Sequence, residues 1–212
     1  MKAALPKSRG GRYGARKGVR ARSGETPRPM GPLLAFSHAV DRLNARFGRV
    51  ADWFVLLACL LAAGNAGLRY AFSAGSNASL EAQWYFFAGV VMLGGGYTLF
   101  RNEHVRVDLV YGWVSDRVRI WIDVIGISLF LLPAMALLAW MTWPFFLDSW
   151  MRGETSSSPG GLIRWPVKLL MPLGFALITA QGVSELIKRI AVLRGIWVPE
   201  ERLHAAYTRP EQ

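Results

Sequence analysis

The chain has 212 residues, 52% of them hydrophobic, and a formal net charge of +11. Its single cysteine, Cys59, excludes an intramolecular disulfide and a cysteine-built metal cluster. The charge is concentrated in residues 1–29, where nine Lys or Arg face only Glu25, so the rest is a near-balanced, strongly apolar chain carrying all nine tryptophans, which is the composition of a membrane protein with a basic tail.

The tail, residues 1–29, is rich in Gly, Arg, Ser and Pro and lacks apolar periodicity. It cannot bury enough surface to offset its ordering entropy, so it is expected to be disordered. It reads as a solvated cytoplasmic extension or a contact for anionic membrane lipids, with translation from Met30 as a further reading. No nucleic-acid partner is expected, because no folded module or aromatic interleaving accompanies the charge. Over residues 30–49, Leu33, Phe36, Val40, Leu43 and Phe47 recur at steps of three and four, with Asp41, Arg42, Asn44 and Arg46 opposite. This predicts an amphipathic helix lying along the inner leaflet, with a docking face for another subunit as the sharper alternative. The first long apolar run starts near Val50 and lacks a small-residue cleavage pattern after it, so it is expected to remain as an anchor.

Four spans are predicted, over 50–72, 82–100, 120–147 and 166–193, each long enough to cross a hydrocarbon layer about 30 Å thick. The second contains no charge. In the third a bend is expected at Pro133, and the fourth opens with Pro166 in its first turn. Residues 195–212 follow as a second cytoplasmic tail. The predicted fold class is therefore all-α: an integral membrane domain of four transmembrane helices, preceded by the interfacial helix. Lys and Arg set the orientation. Twelve precede the first span, four lie between the second and third and five end the chain, against Arg69, Arg152, Arg164 and Lys168 on the other side, which places both termini in the cytoplasm. Trp84, Trp140, Trp143, Trp150 and Trp165 mark the outer boundary on this reading, and Trp53, Trp113, Trp121 and Trp197 the inner one.

Polar groups near the spans are the candidate functional residues, since charges inside lipid are costly. Asp52 and Asp123 are placed within about a turn of the inner boundary, and Arg69 snorkels to the outer one. Gln181 and Glu185 lie one turn apart on one face of the fourth span, with Arg189 a further turn along as an ion-pair partner; a structural role at a helix contact competes with contact to a transported ion or solute. Ala63, Gly64 and Gly67 in the first span, and Gly89, Gly94, Gly95 and Gly96 in the second, would permit close helix approach. The outer loop, 148–165, carries Glu154, Thr155, Ser156, Ser157, Ser158, Pro159, Gly160 and Gly161, a turn-forming composition. As the largest outer element it is best placed to meet a soluble partner.

The octet Arg101-Asn102-Glu103-His104-Val105-Arg106-Val107-Asp108, at the end of the second span, concentrates titratable groups where the chain leaves the lipid. If helical, it sets His104 and Asp108 four apart, able to satisfy one another at an interface. Neither His38 nor His204 supplies metal-ligand spacing, so no metal and no cofactor is expected, and the absence of a nucleophile motif speaks against an enzyme.

Several segments together resemble one family. They are Asn77, Ser79-Leu80-Glu81 and Gln83-Trp84-Tyr85; Gly94 to Leu99 and the octet; Ser149-Trp150, Gly153-Glu154 and Ser158-Pro159-Gly160-Gly161; then Arg164-Trp165-Pro166-Val167-Lys168, Gln181-Gly182 and Ser184-Glu185. From about Met30 to Leu193 the chain resembles the small membrane subunit (DctQ-like) of tripartite ATP-independent periplasmic (TRAP) transporters, and its loop motif the branch associated with keto acids, mannitol or chloroaromatic acids. The resemblance implies a bacterial inner-membrane subunit of a sodium-coupled importer. Its partners would be a large multi-span permease subunit, which moves substrate by an elevator motion, and a periplasmic substrate-binding protein. Because the family usually starts near the amphipathic helix, residues 1–29 depart from it, which favours Met30 as the start. The implied subunit-interface residues are Arg101, Asn102, Glu103, His104, Arg106, Asp108, Glu81 and Trp84, with Trp150, Glu154, Pro159, Gly160, Arg164 and Trp165 in the outer loop.

The leading expectation is a non-catalytic scaffold subunit. The alternative is a self-sufficient small channel or carrier lined by Gln181, Glu185 and Asn65, in which Glu185→Ala would abolish flux. A membrane enzyme would regain interest only if His104 and Asp108 faced a cavity with a bound metal.

Overall fold

The computed structural model describes residues 31–73, 75–104 and 115–196. The expectations for residues 1–29 and 197–212, including Trp197, and for Val105 to Asp108 and Trp113 lie outside that range. The described residues form α1 (Gly31–Phe72), α2 (Asn77–Arg101), α3 (Asp116–Gly126), a π-helical turn (Ile127–Leu131), α4 (Leu132–Met151) and α5 (Trp165–Leu193). Three of these segments, Gly31–Phe72, Arg117–Met151 and Trp165–Leu193, are long and apolar enough to cross a membrane. Helix α2 is not among them; the polar Gln83 and the glycines Gly94, Gly95 and Gly96 dilute its apolar residues.

Helix α1 runs for 42 residues without a break, about 63 Å at ~1.5 Å per residue. The predicted interfacial helix and first span are thus one rod. Its first half also turns differently from the expected amphipathic arrangement. Ser37, Val40, Asp41, Asn44 and Gly48 are buried, whereas Leu33, Phe36 and Leu43 are exposed. Asp41 and Asn44, expected on the solvent face, therefore point inward, because α5 offers polar partners there.

Helix α5 is the spine: α2 and α4 pack against it along their lengths and α1 along its first half, while α1 also lies against α2. Close approach depends on glycine. A Cβ on Gly96 would stand 2.2 Å from Asn44 Oδ1, one on Gly89 2.3 Å from the Phe54 ring, and one on Gly182 2.6 Å from Leu131. Glycines in α2 thus serve the predicted packing role inside the chain, but Gly64 and Gly67 in α1 have nothing within 4 Å. Pro133 acts one turn before itself. It lacks an N–H and crowds the preceding turn, and the helix widens over Ile127–Leu131, closing with the Leu132 N–H on the Ile127 carbonyl.

The interior is inverted relative to a water-soluble bundle. The largest fully buried side chains are Gln181, Asn44, Ser37, Ser149 and Ser184, while Leu60, Phe87, Leu129, Phe130 and Leu137 stand exposed. Polar groups satisfied between helices and apolar groups facing outward are what a hydrocarbon surrounding demands.

Candidate functional site

At the end of the bundle where α2 terminates, α1, α3 and α5 build a continuous polar network. Asn44 Nδ2 donates to Gln181 Oε1 at 2.8 Å, and Gln181 Nε2 donates to Asp41 Oδ1 at 2.9 Å and Glu185 Oε1 at 3.2 Å. Lys188 Nζ donates to the same two carboxylates, at 2.7 Å to Asp41 and 3.1 Å to Glu185. The Ser184 hydroxyl adds a third donor to Asp41 Oδ1 at 3.1 Å. Arg189 closes the far side, its Nη1 2.5 Å from Glu185 Oε2 and its Nε 3.1 Å from Asp123 Oδ2 on α3. Asp41, Glu185, Asp123, Lys188 and Arg189 are all buried. The spacing on α5 explains the alignment: residues 181, 184, 185 and 188 share one face, and α1 answers with 37, 41 and 44. Each charge meets at least one opposite charge, which is what makes burial tolerable.

The predicted trio Gln181, Glu185 and Arg189 is thus brought together, with Glu185 and Arg189 paired as expected. Sequence reasoning missed the other half, Ser37, Asp41 and Asn44. The available signal was the step of four and three that sets Ser37, Asp41 and Asn44 on one helical face.

At the opposite end, the segment between α4 and α5 folds into a small hairpin. Thr155 and Ile163 form an antiparallel bridge, the Ser156 N–H donates to the Leu162 carbonyl at 2.9 Å, and the Arg164 N–H donates to the Glu154 carbonyl at 2.8 Å. Gly153 (φ 59°) and Gly160 (φ 70°) supply the left-handed positions at its base and tip. Glu81, in the first turns of α2, reaches into this hairpin: Oε2 accepts the Leu162 N–H at 2.8 Å and Oε1 accepts the Ser156 hydroxyl. These two donors hold the Glu81 carboxyl below the usual carboxylate range. Asn77 Nδ2 donates to the Pro159 carbonyl at 3.4 Å. Glu154 pairs with Lys168 and, at 3.6 Å, with Arg164, and the Lys168 contact holds its carboxyl low as well. Trp150 and Trp165 meet edge to face across the base, centroids 4.4 Å apart. Seven of the predicted residues, Glu81, Trp150, Glu154, Pro159, Gly160, Arg164 and Trp165, therefore belong to one clamped unit. Trp84 stands 70% exposed beside it.

The octet does not continue α2. Asn102 adopts φ 58°, its N–H donates to the Leu99 carbonyl and the Glu103 N–H to the Thr98 carbonyl, both at 3.1 Å. This is the Schellman arrangement that ends a helix, and asparagine is one of the few residues suited to it. The spacing expected for His104 against Asp108 lies outside the described residues, and within them Glu103 accepts Arg101 Nε at 3.2 Å. His104 is exposed, while Arg106 and Asp108 lie outside the described residues. Among the described residues, no group of three His, Cys, Asp or Glu is placed to hold a metal ion.

The family model described as the DctQ component of tripartite ATP-independent periplasmic transporters matches residues 65–192, more than half of the chain. The chain belongs to this DctQ family. It is therefore a membrane component of a tripartite TRAP transport system, a family of transport subunits and not of enzymes. No curated protein and no solved structure matches the chain. The match starts at Asn65, later than the resemblance from Met30 expected on motifs. It takes in the octet, the clamped hairpin and the α5 half of the polar network, but not Ser37, Asp41 or Asn44 on α1.

Proposed function

We propose that this DctQ protein is the non-transporting scaffold subunit of a sodium-coupled TRAP importer for an organic acid or similar small solute, of the branch associated with keto acids, mannitol or chloroaromatic acids. In this reading α1, α2, the helix from α3 through α4, and α5 all cross the bacterial inner membrane, with both termini in the cytoplasm. A large elevator-type permease subunit carries the substrate and sodium sites, and this chain widens its static part. The clamped hairpin at 152–164 faces the periplasm and meets the substrate-binding protein, while the octet at 101–108 lies at the cytoplasmic boundary against the large subunit.

The observation that carries the reading is that the buried polar side chains of α5 are bonded to partners within the chain. Gln181 and Glu185, the strongest candidates for lining a path, spend their hydrogen bonds on Asn44, Asp41, Lys188 and Arg189. Asn65, the third candidate, sits at the hairpin end beside Arg69 and Gln83. The three do not converge, so a self-sufficient channel or carrier is disfavoured.

The test is a mild-detergent pull-down of the tagged full-length chain from its native membrane, with mass spectrometry of what remains bound. A large multi-span permease recovered near one to one is the expected result. Recovery of this chain alone, as a defined oligomer, would overturn the assignment.

A further inference from the structure

Helix α1 carries a second face that none of the described residues covers. Arg46, Arg49 and Asp52 follow at steps of three on the side turned away from the Asn44, Gly48 and Ala51 seam, and all three are exposed. Among the described residues, none of them makes a hydrogen bond or ion pair. The depth of Asp52 is fixed by its neighbours: the Phe54 ring packs over Gly89, and Ala51 Cβ would lie 3.8 Å from a Cβ on Gly94. Asp52 therefore stands level with the middle of the charge-free run 82–100, roughly ten residues or about 15 Å from Arg101 along α2, and deeper than the boundary position its sequence context suggests. A carboxylate facing acyl chains at that depth is strongly disfavoured, and such groups mark contact with protein or water. The same helical face continues through Ala63, Gly64 and Gly67, and a Cβ at either glycine would meet nothing within 4 Å. Small residues that admit no helix of their own chain leave room for a helix of another.

We infer that this face of α1 seats a transmembrane helix of the large permease subunit, one that presents a carboxylate to Arg46 and Arg49 and a hydrogen-bond donor or cation to Asp52. The inference rests on the scaffold reading above and says which surface performs it. Charge selects the occupant. A phospholipid headgroup would reach Arg46 and Arg49 only if their long side chains extend toward the surface, and would leave the short Asp52 against its acyl chains. A second copy related by a twofold axis along the membrane normal would set Asp52 against Asp52 and Arg49 against Arg49, and like charges in contact oppose that pairing.

The experiment is the same native-membrane pull-down, made with Asp52→Leu and with the double variant Gly64→Leu/Gly67→Leu, using Ala136→Leu on exposed α4 as control. Each α1 variant should retain at least tenfold less large subunit than the unaltered chain, with insertion and the thermal midpoint of the chain itself maintained, because among the described residues Asp52 is exposed and a Cβ at either glycine meets nothing within 4 Å. As a second readout that spares the face, Gly67→Cys in a Cys59→Ser background should crosslink to the large subunit, and Ala136→Cys should not. Undiminished recovery with both α1 variants, together with no crosslink at position 67, overturns the surface while leaving the scaffold reading intact. Loss of a self-oligomer, or of a bound phospholipid with the large subunit retained, overturns the occupant. An unaltered chain that recovers no large subunit defeats the scaffold reading itself.

Discussion

Asn102 shows how a motif residue can be explained by backbone geometry. It ends α2 in the left-handed region, where a β-branched side chain crowds its own carbonyl. Glycine adopts this backbone freely, so Asn102→Gly should be tolerated better than Asn102→Val, which should cost about 1–2 kcal/mol in backbone strain, read as a lower thermal midpoint in detergent. Glu81 acts at the other end through hydrogen bonds. Its folded carboxyl titrates below the ordinary value of 4.5 because the Leu162 N–H and Ser156 hydroxyl favour the charged form. A depressed folded pKa means that its contribution is present above that ordinary value and is lost as pH falls through the folded pKa. Protection of the Leu162 amide, its exchange rate measured against the intrinsic rate at the same pH, should therefore be high at pH 7 and fall in acid, below the ordinary carboxylate value. Glu81→Ala should lower that protection at both, and equal protection in the variant and the unaltered chain would remove Glu81 from this role.

At the scale of elements, the attachment of α1 to α5 is ionic as much as apolar. Asp41 takes donors from Gln181, Ser184 and Lys188, all on α5. Removing Lys188 takes from buried Asp41 the cation bonded to it, a loss of roughly 3–5 kcal/mol, while removing Asp41 leaves Lys188 with Glu185 alone, and removing both costs less than the sum. Asp41→Ala and Lys188→Ala should each lower the unfolding midpoint strongly, and the double variant should recover part of the loss; additive effects would mean that the two side chains do not act as a pair. The second span behaves differently. Its glycines let α1 and α5 approach so closely that its exclusion from the most apolar helices and its central packing have the same origin.

Across the whole molecule, the all-helical architecture, the positions of the long apolar helices and the Glu185–Arg189 pair were legible in the sequence, because apolar run length and one-turn spacing are local properties. The DctQ family was legible too, through motifs that the match over residues 65–192 contains. Other features were not. Whether Asp41 and Asn44 face solvent or α5 depends on partners about 140 residues away, so periodicity put them on the wrong side. Gly64 and Gly89 look alike in sequence, yet only Gly89 receives a side chain, from Phe54. Glu81 and the hairpin residues were picked out as motif pieces, but their joining needed helices α2 and α5 to bring them together. The sequence by itself determined which segments are helical and how apolar they are, since both follow from short-range composition. Only the tertiary structure decided which face of each helix is spent inside the chain and which is left open, because that choice is made by contacts between residues far apart along it.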